Sequence, residues 1–444
     1  MPSPSLVPVE EMVARLERAL AGSPADETEM VWIEARRGQE SHGKRRRDGE
    51  LAERTLLVRV RESGRIGLHR TGEASLADLD KAVREALAQA RLGAPAPPPL
   101  LPAGARGPLP TLPALADPEL ARMTPARARD LIQRNAERGE VALLGWAEGR
   151  YAVVDSRGLR RAAEVTAAWT AVSCGRTPGA GRAAAAARSL AGLDAPAVFA
   201  RARRRSAAGD PAEVPQGAVP VVLAPEAAAV LLDLLARHAL SSLAFHDGVS
   251  FLRERTGQEL FHPDLTLRDD ATDPRGLPFP FDFLGAAKRP LPLIERGVFL
   301  GPVRDERLAR AGGAAPTPHL VAPDEARAAN LFLQPAEVAD AALLARAEGG
   351  VWVADLDPVE AFDRRALRFR AIARGARRIA AGAPGPALPD LLWEDSLPAL
   401  LSRILGVGLE TVTVATGDPL LGAVTTPMLA FAGVTALRPV PAAG

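Results

Sequence analysis

The sequence holds little of what builds covalent or metal frameworks. There is one cysteine, Cys174. A single thiol excludes an intrachain disulfide and any cysteine cluster for zinc or iron–sulfur, which fits a reducing compartment. Neither sign of charge is in surplus: Lys and Arg number 55 against 54 Asp and Glu, a formal net charge of +1. Binding nucleic acid by bulk electrostatics needs a basic face, and this balance does not supply one. A local cluster, "GKRRR" at 43–47, is basic enough to meet an anion, but a solvated loop or strand end is the favoured reading. No uncharged apolar run approaches the roughly 18–20 residues that span a bilayer. The opening "MPSPSLVPVEEMVARLERAL" has no basic start followed by an apolar run, so no signal peptide is expected and the location is expected to be cytoplasmic. Also missing are a GxxxxGK[ST] phosphate loop, a GxGxxG after a strand and a GxSxG nucleophile elbow.

What is present is the composition of an ordered protein. Hydrophobic residues make up 47% of 444, enough for two or three domains with cores of their own. Over 8–93, "PVEEMVARLERALAG" spaces Val13, Leu16 and Leu20 as a helix and stops at Gly22. "EMVWIEARRG" reads as a strand, and "ERTLLVRVRESGRIGLHRTGE" as two strands around a Gly64 turn. "SLADLDKAVREALAQARLG" is a helix with Ser75 or Asp78 able to cap it and Gly93 to end it. Residues 94–118 carry nine prolines and predict an extended linker. A middle α/β segment follows at 119–213: a helix with Thr124 as N-cap and Pro125 in its first turn, strands broken at "DSRG" (155–158), and a closing helix in "DAPAVFARARRRSAAG". From 214 to 444 a short β-branched strand at 219–223 leads into a helix, then many short strand-like runs separated by turns. The expectation is an α+β fold: a small α+β N-terminal domain, the middle segment, and a large, mainly β, barrel-like mixed C-terminal domain. No internal repeat is visible.

Within the helix after 223, "LLDLLARHAL" carries one histidine. Leu231, Leu234, Leu235 and His238 fall at i, i+3, i+4 and i+7, one face of an α-helix. A histidine on a leucine face is ordinarily a core or interface residue. A catalytic zinc needs three protein ligands and usually a carboxylate base. Asp233 and His238 could supply two ligands, with His246 or His262 nearest as a third, while the position after Asp233 is Leu234, which cannot act as a base. "FHPDLTLRDDATDP" places Asp264, Asp269, Asp270 and Asp273 close together, but not with the alternation, central glycine and twelfth-position glutamate of a calcium loop. Backbone-capping turns are the simpler reading. Cys174, at a strand end, reads as an inert small residue rather than a nucleophile.

From about 217 onward the succession of "VPVVLAPEAAAVLLDLLARH", "SFLRERTGQELFHPDLTLRDD", "PFDFLGAAKRPLPLIERGVFLGPVRDERLAR", "AANLFLQPAE" and "TTPMLAFAGVTAL" resembles the TldD/PmbA family, long labelled modulators of DNA gyrase. Upstream, "DSRGL" is similar to the family's Asn-Ser-x-Gly turn, with Asp155 in place of Asn, and the layout before the linker matches the family's first domain. The resemblance implies a metalloprotease-like C-terminal domain. In the TldD branch an HExxxH on the helix after the first strand of that domain, with a later cysteine, binds the metal for peptide hydrolysis. The PmbA branch, also called TldE, lacks these and pairs with TldD in a heterodimeric protease. Here the window reads Asp233, Leu234, Leu235, Ala236, Arg237, His238, and no cysteine follows Cys174. The resemblance therefore implies a PmbA/TldE-type chain with no catalytic residues and no cofactor of its own. Asp233 and His238 stand at a degenerate metal position, and the metal belongs to a TldD-like partner acting on unfolded peptide. The family's acidic pair after Asp282 is replaced in "FDFLG" (281–285), and its "STGN"-like turns by "GGAAPTPH". Two alternatives stay open: a stand-alone metallopeptidase with an altered site, and a gyrase-modulator-like binding module.

Overall fold

The computed structural model describes residues 6–43, 49–93, 95, 107–435 and 437–440. The charged residues of the basic cluster, 44–47, and most of the predicted linker, 94 and 96–106, lie outside the described residues.

The first half of the chain is one sheet under one layer of helices. The elements run α1 (Val9–Ala21), β1 (Glu27–His42), β2 (Gly49–Glu62), β3 (Arg65–Thr71), α2 (Leu76–Leu92), α3 (Pro118–Ala121), α4 (Pro125–Asn135), β4 (Val141–Asp155), β5 (Arg160–Cys174), β6 (Gly181–Ala187), α5 (Leu190–Leu193) and α6 (Ala195–Arg205). The strands form a single antiparallel sheet in the order β3-β2-β1-β4-β5-β6. The segments at 8–93 and 119–213 thus share a sheet, joined where β1 pairs with β4 from Glu29↔Asp155 to His42↔Ala142. Each contributes helix, three-stranded meander, helix, a structural repeat that is absent from the sequence pattern. The caps are those expected from residue type: Ser75 and Asp78 form a reciprocal capping box on α2, and Thr124 caps α4 with Pro125 following.

The strand period of two decides what each face meets. Met30 and Trp32 of β1 join Leu56, Val58 and Val60 under α1 and α2. In the second repeat Leu144, Trp146 and Val172 lie under α4 and α6. In both repeats a glycine on the outer strand lets a helix backbone touch the sheet. A Cβ on Gly67 would lie 1.9 Å from the Ala86 carbonyl oxygen, and one on Gly181 would lie 2.0 Å from that of Ala202. The alternate residues, Val31, Ala35, Leu57, Tyr151, Val153 and Val165, face the rest of the chain and meet Phe279, Phe281, Leu284 and Leu420.

The remainder begins with β7 (Val219–Leu223) and α7 (Pro225–Leu235). β7 lies inside a six-stranded sheet, parallel to Val351–Val353 and antiparallel to Leu429–Val434. A second six-stranded sheet contains Leu267–Asp269, Leu331–Leu333 and Val424–Thr426, and a four-stranded sheet contains Asp355–Asp363 and Arg368–Arg374. The class is α+β, as expected, but these sheets are open and mixed rather than barrel-like. Parallel pairing inside a sheet leaves no way to close it by hairpins alone, and two covered sheets packed around α7 bury the same apolar surface. α7 is apolar almost all round, so it sits in the core between them, with Leu231, Leu232, Leu234 and Leu235 all buried. Among the described residues no helix is long and apolar enough to cross a membrane.

Candidate functional site

α7 does not end as an α-helix. Its last turn continues into a π turn, Ala236–Leu240, in which each amide reaches one residue further back. The extra residue rotates His238 off the leucine face that α spacing assigns to it, and its ring is half-buried rather than in the core. Burial, then the positive charges of Arg364 and Arg237, hold the His238 imidazole below its ordinary pKa. Asp233, one turn earlier, forms an ion pair with Arg237 and accepts a hydrogen bond from the Thr416 hydroxyl. Arg237 also donates to the Thr416 carbonyl at 2.7 Å. Asp233 is thereby tied to a cation and to the 416 loop. Burial pushes its carboxyl up despite that cation.

The other histidines are committed elsewhere. His246 Nε2 lies 2.7 Å from Asp305 Oδ2, and His262 Nδ1 accepts from the Asp264 amide at 3.2 Å. Of the aspartates, Asp270 accepts from the Thr272 amide and hydroxyl, and Asp273 from the amide and guanidinium of Arg275, the turn-capping roles their residue type suggests. Asp269 differs: it is fully buried. Cys174 is buried and donates to Glu140 Oε1 at 3.1 Å. Burial and that carboxylate push its thiol up to about 12, so no thiolate nucleophile forms at neutral pH.

Buried charge concentrates instead in a cleft between the sheet and the second half of the chain. Two cavities, of about 700 and 640 Å³, share Arg59, Ile66, Asp282, Lys288, Leu320, Pro323 and Asp324 among their lining residues. Neither Asp233 nor His238 lines them. On the sheet wall Arg59 forks onto Glu29 at 3.1 and 3.2 Å. On the opposite wall the turn "FDFLGAAK" is folded around Asp282, whose carboxylate accepts the amides of Leu284, Ala286 and Leu320. Burial still outweighs those bonds and pushes its carboxyl up to about 6. Behind it, Asp269 accepts from His319 Nε2 at 3.1 Å and from the amides of Ala329 and Asn330 at 2.7 and 2.9 Å. His319, two-point donors on the backbone and the nearby Lys288 hold the Asp269 carboxyl down at about 2 against the cost of burial. Burial keeps His319 below its usual pKa and so neutral at pH 7. Its Nδ1 has no partner among the described residues.

Asp269 and Asp282 were both conspicuous in the sequence, the one in an acidic run and the other inside the family-like "FDFLG". His319 lies within "GGAAPTPH", noted there only as a replaced turn. Lys288 carried no signal: a lone lysine between two alanines and an arginine looks like a solvated residue.

Among the described residues no group of three or more His, Cys, Asp or Glu side chains is arranged to hold a metal ion. Asp233 has a guanidinium where a ligand would have to be metal-bound, and both His246 and His262 have other partners. The residues present do not fit a catalytic metal, and no chemical step is derived through one.

Known proteins give the fold a family. The model of the PmbA/TldA metallopeptidase C-terminal domain matches residues 216–437. No curated protein matches by sequence. Among solved structures, the chain is similar to TldE from Thermococcus kodakarensis, at 19% identity and TM-score 0.78, covering 97% of this chain and 99% of that one. It is also similar to two proteins described as candidate modulators of DNA gyrase. The one from Thermotoga maritima has 16% identity, TM-score 0.81 and coverage of 97% and 100%. The one from Bacteroides thetaiotaomicron has 17% identity, TM-score 0.75 and coverage of 97% and 99%. At such identities the three show a shared fold over nearly the whole chain, and with the matched C-terminal domain they establish that this chain belongs to the PmbA/TldD family.

Proposed function

We propose that this chain is a non-catalytic PmbA/TldE-type subunit of a heterodimeric, cytoplasmic metalloprotease, and that it helps to form the chamber that receives unfolded peptide. The observation that carries this reading is the state of the 233–238 window. The helix follows the first strand of the matched domain, the place that the sequence resemblance gives to the family's metal helix, while Asp233 is paired with Arg237, the base position is Leu234, and the third-ligand candidates are bonded elsewhere. Catalysis by a bound metal needs a ligand set and a general base, and both are assigned to the partner. The cleft supports the chamber role. Its sheet wall ends in β3, a short terminal strand whose outer edge is met, among the described residues, only by the bridge Arg65↔Pro95. An extended peptide can add to such an edge through main-chain hydrogen bonds, which accept any sequence.

The test is to express the chain alone and together with a TldD-type protein of the same cell, and to measure size, bound metal and peptidase activity in each preparation. A heterodimer in which metal and activity appear only with both chains is the expected result. Stoichiometric metal and peptide cleavage by the lone chain would overturn it in favour of a stand-alone metallopeptidase. In that case Asp233 and His238 become the first residues to replace.

A further inference from the structure

The chain carries 55 basic residues, of which only Lys44, Lys81 and Lys288 are lysines. Arginine therefore serves almost every ionic role in this protein, including the pairs that hold buried Glu29, Glu140 and Glu226. Lys288 departs from that habit at a place where the difference matters. A guanidinium spreads its charge over a rigid fork, whereas an ammonium is a compact point charge that must be satisfied at close range.

Lys288 is 8% exposed and lines both cavities of the cleft. Its backbone is pinned by the bond from its amide to the Pro280 carbonyl at 3.0 Å, and Ala287 beside it bridges to Phe281. Its side chain makes no hydrogen bond and no ion pair with any described residue. The two nearest acids do not supply what it lacks. Asp269 spends its oxygens on His319 and two amides, and Asp282 spends its oxygens on three amides. They moderate the positive charge from a distance without touching it. Burial still outweighs both, and the ammonium is held below its ordinary pKa. A buried cation with three unused donors facing a roomy cavity is under-stabilised, and an acceptor of opposite charge at contact distance relieves it. The smaller cavity beside it is walled mainly by apolar side chains, among them Val31, Leu57, Ile66, Phe281 and Leu320, while the larger one also carries Arg59, Glu306, Arg310 and Asp324.

We infer that Lys288 is an anchoring site for a carboxylate carried on an apolar peptide, bound in the cleft between the sheet and the 281–288 turn. This rests on the chamber reading above and deepens it. A free C-terminus and an acidic side chain present the same chemistry to the ammonium, and the experiment separates them.

The measurement is calorimetric binding of three peptides to the full chain: Ac-Ala-Leu-Val-Ala-Leu as the free acid, the same peptide as the C-terminal amide, and amidated Ac-Ala-Leu-Glu-Ala-Leu. One charge-assisted contact made in a buried site is expected to give about a tenfold preference over the neutral amide. A preference for the free acid assigns the site to a peptide C-terminus, and one for the glutamate peptide assigns it to an acidic side chain. Either supports the inference provided that the preference vanishes in K288M, whose fold is checked by its thermal transition. A preference that survives in K288M overturns the assignment to Lys288. Equal binding of all three by the unaltered chain overturns the carboxylate site and leaves the peptide chamber standing. No binding of any of the three, by the full chain alone or mixed with its TldD-type partner, overturns the carboxylate site, and the chamber reading then stands or falls on the co-expression test.

Discussion

The two halves of the N-terminal sheet are built alike and used differently. Each is a helix, a three-stranded meander and a helix, with strands of 16, 14 and 7 residues in the first and 15, 15 and 7 in the second. They diverge at the residue that follows the third strand. In the first repeat it is Gly72, and in the second it is Arg188. Arg188 is buried and makes no ion pair with a described residue. It donates to the carbonyls of Thr166, Leu277, Pro278, Pro419 and Leu420 at 2.9–3.2 Å, four of them on the far side of the interface. Burial, only partly offset by the charge of Asp418, pushes its pKa down to about 10, still well above neutrality. The second repeat is riveted to the C-terminal region. The first has no arginine at that position and is tied to the C-terminal region by the ion pair of Arg37 with Asp418 at 2.6 Å, and its face, through Leu57, Arg59 and Ile66, lines the cleft beside Tyr151 and Val153 of the second. A single residue at an equivalent position thus adds a buried anchor to one copy of a repeated unit, while both copies line the cleft.

The largest expected effect tests that rivet. Replacing Arg188 by Ala leaves five buried carbonyls without their donors and opens a void, and each bond to a charged donor is worth more than a neutral one. The loss of unfolding free energy should be on the order of 4 kcal/mol, comparable to breaking a buried ionic group. Urea unfolding measures it. A lysine at 188 cannot reach five acceptors and should recover little of the loss. If R188A costs less than about 1 kcal/mol, as at a tolerant surface site, the anchored half is held by its apolar contacts alone and the contrast between the halves fails.

A matched pair of substitutions sharpens the likeness rather than the difference. Gly67 and Gly181 occupy equivalent outer strands, and each admits the backbone of the helix behind it. A methyl at either site meets backbone, not a flexible side chain, so the helix must move. The expected cost is roughly 3 kcal/mol for each of Gly67→Ala and Gly181→Ala, at the upper end for overpacking. Similar values show that helix and strand approach equally in both repeats. A cost at one site only would show that the symmetry of the elements does not extend to their packing. Denaturant midpoints at unchanged slope give the comparison directly.

What was legible in the sequence follows the range of the forces involved. Local signals survived: the capping box at Ser75 and Asp78, the cap and proline at Thr124 and Pro125, and the turn at Gly64 are decided by residues within a few positions of each other. The α+β class followed from periodicity. The common sheet did not, because the β1–β4 pairing joins residues more than a hundred positions apart across a proline-rich stretch, and nothing local announces it. The repeat escaped for a related reason. Backbone topology is conserved between the halves while side chains such as Gly72 and Arg188 are not. The 233–238 window could be located by its place after a β-branched strand, but its π turn could not, since α spacing had put His238 among the leucines. The buried cluster was the least legible part. Asp269, the 281–288 turn that carries Asp282 and Lys288, and His319 come from three separate segments, and only folding decides that two of these residues are capped aspartates and one an unpaired ammonium.

The smallest of these effects probes that cluster through pH. The Asp269 carboxyl sits at about 2 in the folded protein, below its ordinary value of 3.8. A carboxylate with a depressed folded pKa adds stability that is present above pH 4 and is lost as pH falls through 4 toward 2, here about 2 kcal/mol in total. His319 acts in the same direction: its folded pKa is lowered by burial, so the unfolded chain takes up a proton first as pH falls below about 6.5, and stability declines. Asp282 acts in the opposite direction. Its folded pKa of about 6 is raised, so its contribution is full below pH 4 and is lost as pH rises toward 6. Between pH 6 and 4 the last two oppose each other, and below pH 4 Asp269 acts without that opposition. Asp269→Asn should therefore flatten the carboxylate's part of the limb between pH 4 and 2, and, because Asp269 also holds the His319 pKa up against burial, shift the His319 contribution to lower pH. Unfolding free energies at half-unit intervals, compared with those of the unaltered chain, give the difference. Parallel limbs below pH 4 would mean that acid loosens the riveted half or the sheet before it reaches the cleft, and that the cluster enclosed by the first repeat is not where this protein first feels acid.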